Sequence, residues 1–224
     1  MALSSKRQYW SRMYRLLDPN AYTYSSGTSM SLIVPAGTTW YATNMWFVYV
    51  NGNGPYFHRK LDCRECIELP AGTVITSTSG QSGFIYYCDY AAATAPATDP
   101  EEAYYARLNQ LTSIQISSLT ASITVGSARG TVVSASFPSF TSGILRGVAN
   151  NEVSWTILSG GSMNTMDEIS DDHQQRFTSE LLMPFKTSIF TGIQVRSASV
   201  SGNATDTSLA GTGTILYQVL PGGW

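Results

Sequence analysis

One short pattern occurs twice in this chain, and it constrains the fold more than any other feature. Residues 9–16 read YWSRMYRL and residues 104–111 read YYARLNQL. Both follow the order Tyr, aromatic, small, Arg, apolar, two variable positions and Leu. The two segments begin 95 positions apart in a chain of 224 residues. This spacing predicts an internal duplication in which each copy opens with the same segment.

Both repeated segments are predicted to be amphipathic helices, the first over residues 5–17 and the second over residues 99–111. Asp99 can cap the second helix, and Pro100 suits the first helical position, where its missing N–H costs nothing. Apolar residues recur at helical spacing on one face of each helix: Tyr9, Met13 and Leu16 in the first, and Tyr104, Leu108 and Leu111 in the second.

The rest of the chain is predicted to form short strands. A polar passage over residues 20–28 is expected to separate the first helix from the first strand. The expected strands of the first half are 29–34, 38–42, 44–50, 66–69, 73–77 and 83–88, with the last two forming a hairpin. Those of the second half are 113–125, 130–137, 143–148, 151–158, 183–190 and 214–217.

Turn residues divide these strands. Two Pro-Ala-Gly triplets end at Gly37 and Gly72, where glycine can supply the positive φ of a tight bend. Asn51 and Gly52 form a dipeptide that is typical of a two-residue hairpin turn.

The repeated helix segment, the turn prolines and the strand tyrosines occur in the same order in both halves. The number of positions between corresponding residues rises along the chain. The offset is 95 at the helices, 103 from Pro35 to Pro138, 114 from Pro70 to Pro184 and 130 from Tyr87 to Tyr217. Insertions in surface loops produce such a rise at small thermodynamic cost.

A mainly β fold is predicted, made of two antiparallel β-sandwich or jelly-roll-like modules that are each preceded by a short amphipathic helix. Small residues at 91–98 predict a linker, so the expected domains are 1–98 and 99–224.

Composition excludes several classes of function. Only 12% of the residues are charged and the net charge is −2, so no basic surface indicates a nucleic-acid partner. No apolar run is long enough to cross a bilayer, and no apolar stretch follows the N-terminal charges as in a signal peptide. We therefore expect synthesis in a cytoplasm and no membrane insertion.

Three cysteines and two histidines are the candidate metal ligands. Cys63, Cys66 and Cys88 with His58 could form a zinc site, and a local disulfide is a second interpretation. Plain thiols are favoured, because only one C-x-x-C pair occurs and buried free thiols behave as small apolar residues. His58 and His173 are expected to be exposed loop residues. No catalytic, metal or cofactor site is predicted.

Two further residue groups have a structural and a functional interpretation. The acidic group lacks the spacing of a calcium loop and is expected to be a solvated loop or a short helix: Asp167, Glu168, Asp171, Asp172 and Glu180. The aromatic group could stack on sugars, but alternation along strands places about half of it in the core: Trp40, Tyr41, Trp46, Tyr56, Phe57, Tyr86 and Tyr87.

Several segments resemble small β-sandwich domains of tailed-phage virion proteins. The segments are VPAGTTWY at 34–41 with its partner NMW at 44–46, LPAGTVI at 69–75 and GFIYY at 83–87. Such domains occur in capsid decoration or cement proteins, in fibres and in tail-tip proteins. The resemblance covers residues 29–90 and, more faintly, 130–220. It implies a structural, non-enzymatic role in the virion, often as a homotrimer bound to other capsid or tail proteins.

These observations lead to three functional hypotheses. The first is a virion surface protein, in which the helices dock or oligomerise through Tyr9, Trp10, Met13, Leu16, Tyr104, Leu108 and Leu111. The helices could instead cover an open sheet end within one subunit. The second hypothesis is a carbohydrate-binding module that contacts host glycans. The third is a small-molecule enzyme on a jelly roll, against which the lack of a His-rich cluster argues.

Overall fold

A computed structural model describes residues 5–78, 80–124, 132–140, 142–151, 154–159, 164–165, 181–196, 211–222 and 224. The fold is mainly β, as predicted, and the recorded strand pairings are antiparallel. Helix α1 spans Ser5–Leu16 and helix α2 spans Pro100–Ser113, over the two repeated segments. The Asp99 carboxylate accepts a hydrogen bond from the Glu101 N–H, so Asp99 caps α2 as expected.

Seven strands of the first half form one curled sheet. They are β1 (Tyr22–Gly27), β2 (Ser31–Ile33), β3 (Thr39–Val50), β4 (Asn53–Arg59), β5 (Ile67–Pro70), β6 (Val74–Thr76) and β7 (Gly83–Asp89). The first part of β3 lies between β5 and β7, and β1 pairs with the other edge of β7. The last part of β3 lies between β4 and β6, and β2 pairs with β6. An apolar core that includes Trp40, Met45, Ile75 and Ile85 packs inside the curl.

The second half forms two four-stranded sheets. Its strands are β8 (Ser117–Ile123), β9 (Val132–Ser136), β10 (Gly143–Asn151), β11 (Ser154–Ser159), β12 (Asn164–Thr165), β13 (Met183–Phe185), β14 (Phe190–Arg196) and β15 (Gly211–Val219). One sheet has the order β13-β10-β15-β8 and the other β12-β11-β14-β9. The sheets contact each other through β14, which meets both β8 and β15.

The two halves share their strand order. The order β5-β3-β7-β1 of the first half corresponds to β13-β10-β15-β8 in the second. The order β4-β3-β6-β2 corresponds to β12-β11-β14-β9. The single long strand β3 therefore occupies the positions that the two strands β10 and β11 occupy in the second half.

Register is shared as well. Ala42 pairs with Tyr87 in the first half, and Leu145 pairs with Tyr217 in the second. These positions differ by 103 and 130, the offsets found in the sequence. A bulge follows each pair, one at Thr43 and one at the corresponding position 146.

Two pairs of backbone hydrogen bonds outside the strands also correspond between the halves. The Val34 N–H donates to Thr73 O, and the Phe137 N–H donates to Thr191 O, both at 2.9 Å. The Tyr90 N–H donates to Thr39 O at 3.0 Å, and the Leu220 N–H donates to Ser142 O at 3.3 Å. The two halves therefore agree in order, register and turn hydrogen bonds.

Local turn predictions are confirmed. Gly37 and Gly72 have φ of 81° and 83°, and Asn51 and Gly52 have φ of 50° and 78° in the turn between β3 and β4. These values lie in the left-handed region that the sequence motifs require.

Several strand predictions were wrong because pairing partners lie far away in sequence. The polar passage at 20–28 contains β1, and the predicted strands 38–42 and 44–50 are one bulged strand. Strands β6 and β7 do not form the predicted hairpin, since β6 pairs with β2 and β3 while β7 pairs with β1 and β3. Strand β4 was not predicted. The strand predicted to begin at residue 113 begins at Ser117, because α2 continues to Ser113 and Ile114 is its C-cap.

Candidate functional site

The two helices pack against each other through aromatic and cationic side chains. The Trp10 ring centroid lies 5.2 Å from those of Tyr104 and Tyr105. The Arg107 guanidinium lies 3.9 Å from the ring centroid of Tyr14 and donates to the Tyr14 carbonyl at 3.3 Å. Burial lowers the pKa of Arg107. The repeated segments thus meet across the predicted boundary at residue 98.

The seven predicted docking residues divide into two groups. Met13, Leu16, Tyr104 and Leu111 are buried within the chain, at 6% exposure or less. Tyr9 is exposed at 46%, and Trp10 and Leu108 are half-buried. In the folded chain only these three remain within reach of a second molecule, while the other four cover the sheets as the alternative interpretation proposed.

The core that α1 covers is shared by both halves. Side chains alternate along β7, so Ile85 and Tyr87 face the first-half core while Phe84, Tyr86 and Cys88 face the opposite way. We call this opposite side of the β1–β7 pair the first outer face. Tyr86 is fully buried there: its hydroxyl donates to Pro184 O at 2.6 Å, and its ring lies 4.8 Å from that of Phe190.

The corresponding side of the β8–β15 pair, which we call the second outer face, is polar and accessible. Thr120 Oγ1 lies 3.0 Å from Thr214 Oγ1, and Ser122 Oγ lies 3.2 Å from Thr212 Oγ1. The opposite side of β15 carries buried residues of the core. The same side of the sheet is therefore covered in one half and open in the other.

A cavity of about 640 Å³ adjoins the second outer face at the end of α2. Its apolar wall includes the half-buried Leu108 and Ile116, which is 43% exposed. Arg64 and Arg146 supply positive charge, and Gln218 anchors the wall by donating to Leu111 O and Ile114 O at 2.7 Å each.

The two arginines differ in their environments. Arg64 forms a 2.6 Å ion pair with Asp62, and this partner raises its pKa. Arg146 donates to Gln218 Oε1 at 3.2 Å, while burial and the nearby Arg64 charge lower its pKa. The cavity therefore combines an apolar wall with a cationic side.

The cysteines and His58 do not assemble into a metal site. All three cysteines are free, and burial raises the pKa of Cys63 and Cys88 well above the usual value. His58 Nε2 lies 2.7 Å from the Glu65 carbonyl oxygen. Within the described ranges no group of three His, Cys, Asp or Glu side chains could hold a metal ion. His173 and the acidic group at 167–180 lie outside these ranges.

The aromatic residues proposed for sugar stacking fall mostly in cores. Trp40 stacks on Tyr87 with centroids 4.0 Å apart, and both are buried. Tyr56 and Phe57 on β4 are 42% and 51% exposed. The structure brings Arg12 of α1 together with Glu68 and Tyr90 around one cleft. The sequence analysis did not identify this group, because no local pattern joins residues so far apart.

Comparisons with known proteins leave the family open. No protein-family model matches the chain, and no curated protein matches it. Among solved structures, it is similar to the regulatory subunit of a cAMP-independent protein kinase A from Trypanosoma cruzi bound to guanosine. The identity is 7%, the match covers 96% of this chain and 84% of that one, and the TM-score is 0.19.

A second solved structure is a mutant of the corresponding regulatory subunit from Trypanosoma brucei, bound to cAMP in the A site. It is 9% identical, covers 88% of this chain and 86% of its own, and has a TM-score of 0.19. Scores this low carry no argument about fold or function. None of the described helices is long and apolar enough to span a membrane.

Proposed function

We propose that the protein is a non-enzymatic structural component of a tailed-phage virion, exposed on the particle surface and assembled as a homotrimer. The sequence resemblance supports the virion role and the trimer. The contact between the two halves supports self-assembly, because it joins two different surfaces: the first outer face and the region of the second half around Pro184 and Phe190.

The chain is proposed to be a tandem duplication of a helix followed by a β-sandwich. Shared strand order, the bulges at 43 and 146 and the paired turn hydrogen bonds support it. Independent folds of mixed strand order have no reason to agree at so many points. The structural offsets of 103 and 130 match those of the sequence repeat, whereas the strand register aligns Pro184 with Glu68, at an offset of 116 rather than 114.

In a duplicated chain, the contact between the halves has a consequence for assembly. The first outer face binds Pro184 and Phe190 of the second half. A contact between unlike surfaces leaves one surface of each kind unpaired at the ends of the pair. Among the described residues, the surfaces left over are the second outer face and the Pro70–Gly72 turn, whose Gly72 corresponds to Phe190 by the shared turn hydrogen bond. A second copy can place this turn against the second outer face and the cavity beside it.

The oligomeric state tests this proposal. We expect multi-angle light scattering to report a trimer, and purified virions to contain the chain by mass spectrometry. Ile116→Glu places a charge on the apolar wall of the cavity and should convert trimers to monomers. Ile33→Glu is the matched control, because Ile33 is 62% exposed on β2 of the first half, and it should leave the trimer intact.

Two results would contradict the proposal. One is a stable wild-type monomer at micromolar concentration. The other is loss of the trimer in Ile33→Glu but not in Ile116→Glu, which would place the contact elsewhere.

A further inference from the structure

An open cleft lies between the first turns of α1 and the sheet of the first half. Its volume is about 460 Å³, within the usual range for small-molecule sites. Aromatic, charged and amide or hydroxyl side chains line it: Ser5, Gln8, Tyr9, Arg12, Thr39, Tyr41, Glu68 and Tyr90. The Tyr9 ring is 46% exposed at the rim, while Tyr41 is buried and forms the floor.

Arg12 places its guanidinium beside two tyrosine rings of the cleft. Its guanidinium carbon lies 5.3 Å from the ring centroid of Tyr9 and 5.9 Å from that of Tyr41. Its Nε is buried and has no hydrogen-bond partner among the described residues. The guanidinium as a whole is half-buried and lines the cleft, so its outer N–H groups can donate to an oxygen atom of a ligand there.

The corresponding arginine of the second half, Arg107, has a different environment, although the two halves share their strand order. Arg107 is 95 positions after Arg12 and is 7% exposed. It donates to the Tyr14 carbonyl and lies over the rings of Tyr14 and Trp224. The second half thus satisfies its arginine within the chain, whereas the first half presents its arginine to an open cleft.

The floor and back of the two sites also differ. Tyr41 corresponds to Ile144 by the 103 offset, and Tyr90 corresponds to Leu220 by the shared hydrogen bond to positions 39 and 142. Ile144 and Leu220 are buried aliphatic residues of the core. Only the first half has aromatic and hydroxyl groups at these positions, which is the chemistry of a binding site.

The charges of the cleft define its ligand. Arg12 disfavours a cation and Glu68 disfavours an anion, so the pair suits a neutral molecule that both donates and accepts hydrogen bonds. The Tyr41 hydroxyl is protonated and can donate at neutral pH, and burial and the Glu68 charge raise its pKa further, to about 12. Neighbouring hydroxyl groups on a sugar ring satisfy the arginine and the carboxylate together. The C–H face of the ring packs against a tyrosine face, whose π electrons are negative.

We infer that the cleft between α1 and the first-half sheet binds a neutral hexose unit of a glycan. Tyr9 packs against the sugar ring, Arg12 donates to a ring hydroxyl and Glu68 accepts from its neighbour. This inference goes beyond the structural role and does not depend on the trimer. It places glycan recognition on α1 and the edge beside it rather than on the exposed β4 aromatics.

A glycan array with the full-length protein tests the inference. The panel contains neutral oligosaccharides of glucose, galactose, mannose and N-acetylglucosamine, with sialylated and sulfated glycans as a counter-panel. We expect binding to at least one neutral glycan, and saturation-transfer NMR should show contacts from that sugar. Tyr9→Ala and Glu68→Gln should each weaken binding at least tenfold, as measured by titration calorimetry.

Tyr56→Ala is the matched control, since Tyr56 is a tyrosine of similar exposure, 42%, on the separate strand β4. It should bind as the wild type does. Thermal unfolding and light scattering should be unchanged in all three variants, which separates loss of binding from loss of structure. Absence of binding to every neutral glycan, binding to acidic glycans alone, or loss of binding in Tyr56→Ala but not in Tyr9→Ala would overturn the inference. The trimer result would be unaffected by any of these outcomes.

Discussion

The two halves of the chain have one strand order but opposite surfaces at corresponding places. Phe84 and Tyr86 on the first outer face correspond to Thr214 and Leu216 on the second, by the offset of 130. Both aromatic residues are buried, and Tyr86 packs against the second half, whereas Thr214 and Leu216 are only half-buried.

The end of the sandwich that makes this contact also differs. Phe190 of the second half packs on Tyr86, and the corresponding position of the first half is Gly72, in an exposed turn. Large apolar side chains on one end of the second half and on one face of the first half bring the halves together. The corresponding end and face carry smaller or more polar residues, so two halves of the same strand order differ in the surfaces that they bury.

Separating the halves should have the largest effect. Residues 1–98 alone would expose Tyr86, which the full chain buries against Pro184 and Phe190. We therefore expect neither 1–98 nor 99–224 to unfold cooperatively by circular dichroism or to give dispersed NMR spectra. A cooperatively folded fragment would instead support the predicted domain boundary at residue 98, which remains a prediction.

Removing one ring from the contact between the halves should have the next largest effect. Phe190 is fully buried, and Phe190→Ala should lower the free energy of unfolding by about 3–5 kcal/mol, because it leaves a cavity beside Tyr86. Phe57→Ala is the control, since Phe57 is 51% exposed, and its effect should be under about 1 kcal/mol. Chemical denaturation measures both. Equal effects would show that the contact contributes little to stability.

A smaller effect is expected from alkaline pH at the helix pair. Burial raises the pKa of Tyr104 to about 12 from an ordinary value of 10. The folded chain therefore favours the neutral phenol, and this contribution is complete below pH 10 and is lost as pH rises toward 12.

Tyr104→Phe should reduce the fall in unfolding free energy between pH 10 and pH 12 by about 1 kcal/mol. Tyr105→Phe, at an exposed neighbour with 47% exposure, should leave the fall unchanged. Denaturant melts across this pH range measure the difference. An unchanged slope in Tyr104→Phe would show that its hydroxyl is not desolvated in the helix pair.

Much of the local structure could be predicted because its causes lie within a few residues. Asp99 and Pro100 mark the start of α2, and Gly37 and Gly72 mark turns whose positive φ strongly favours glycine. The repeat offsets could also be read, since loop insertions leave the order of elements unchanged. Strand β1 was missed because its outward side chains are polar and its partner, β7, lies about sixty residues away.

The sequence by itself determined the mainly β class, the two helices, the turns and the repeated order, because each depends on local backbone preference and on the spacing of apolar residues. Only the tertiary structure decided which sides of the sheets are covered, since that depends on contacts such as Tyr86 with Pro184, 98 positions apart. The tertiary structure also decided the different side-chain environments of Arg12 and Arg107. Arg107 donates to Tyr14 and lies over the rings of Tyr14 and Trp224, whereas Arg12 lines an open cleft, because the side chains that the fold brings to the two arginines are different.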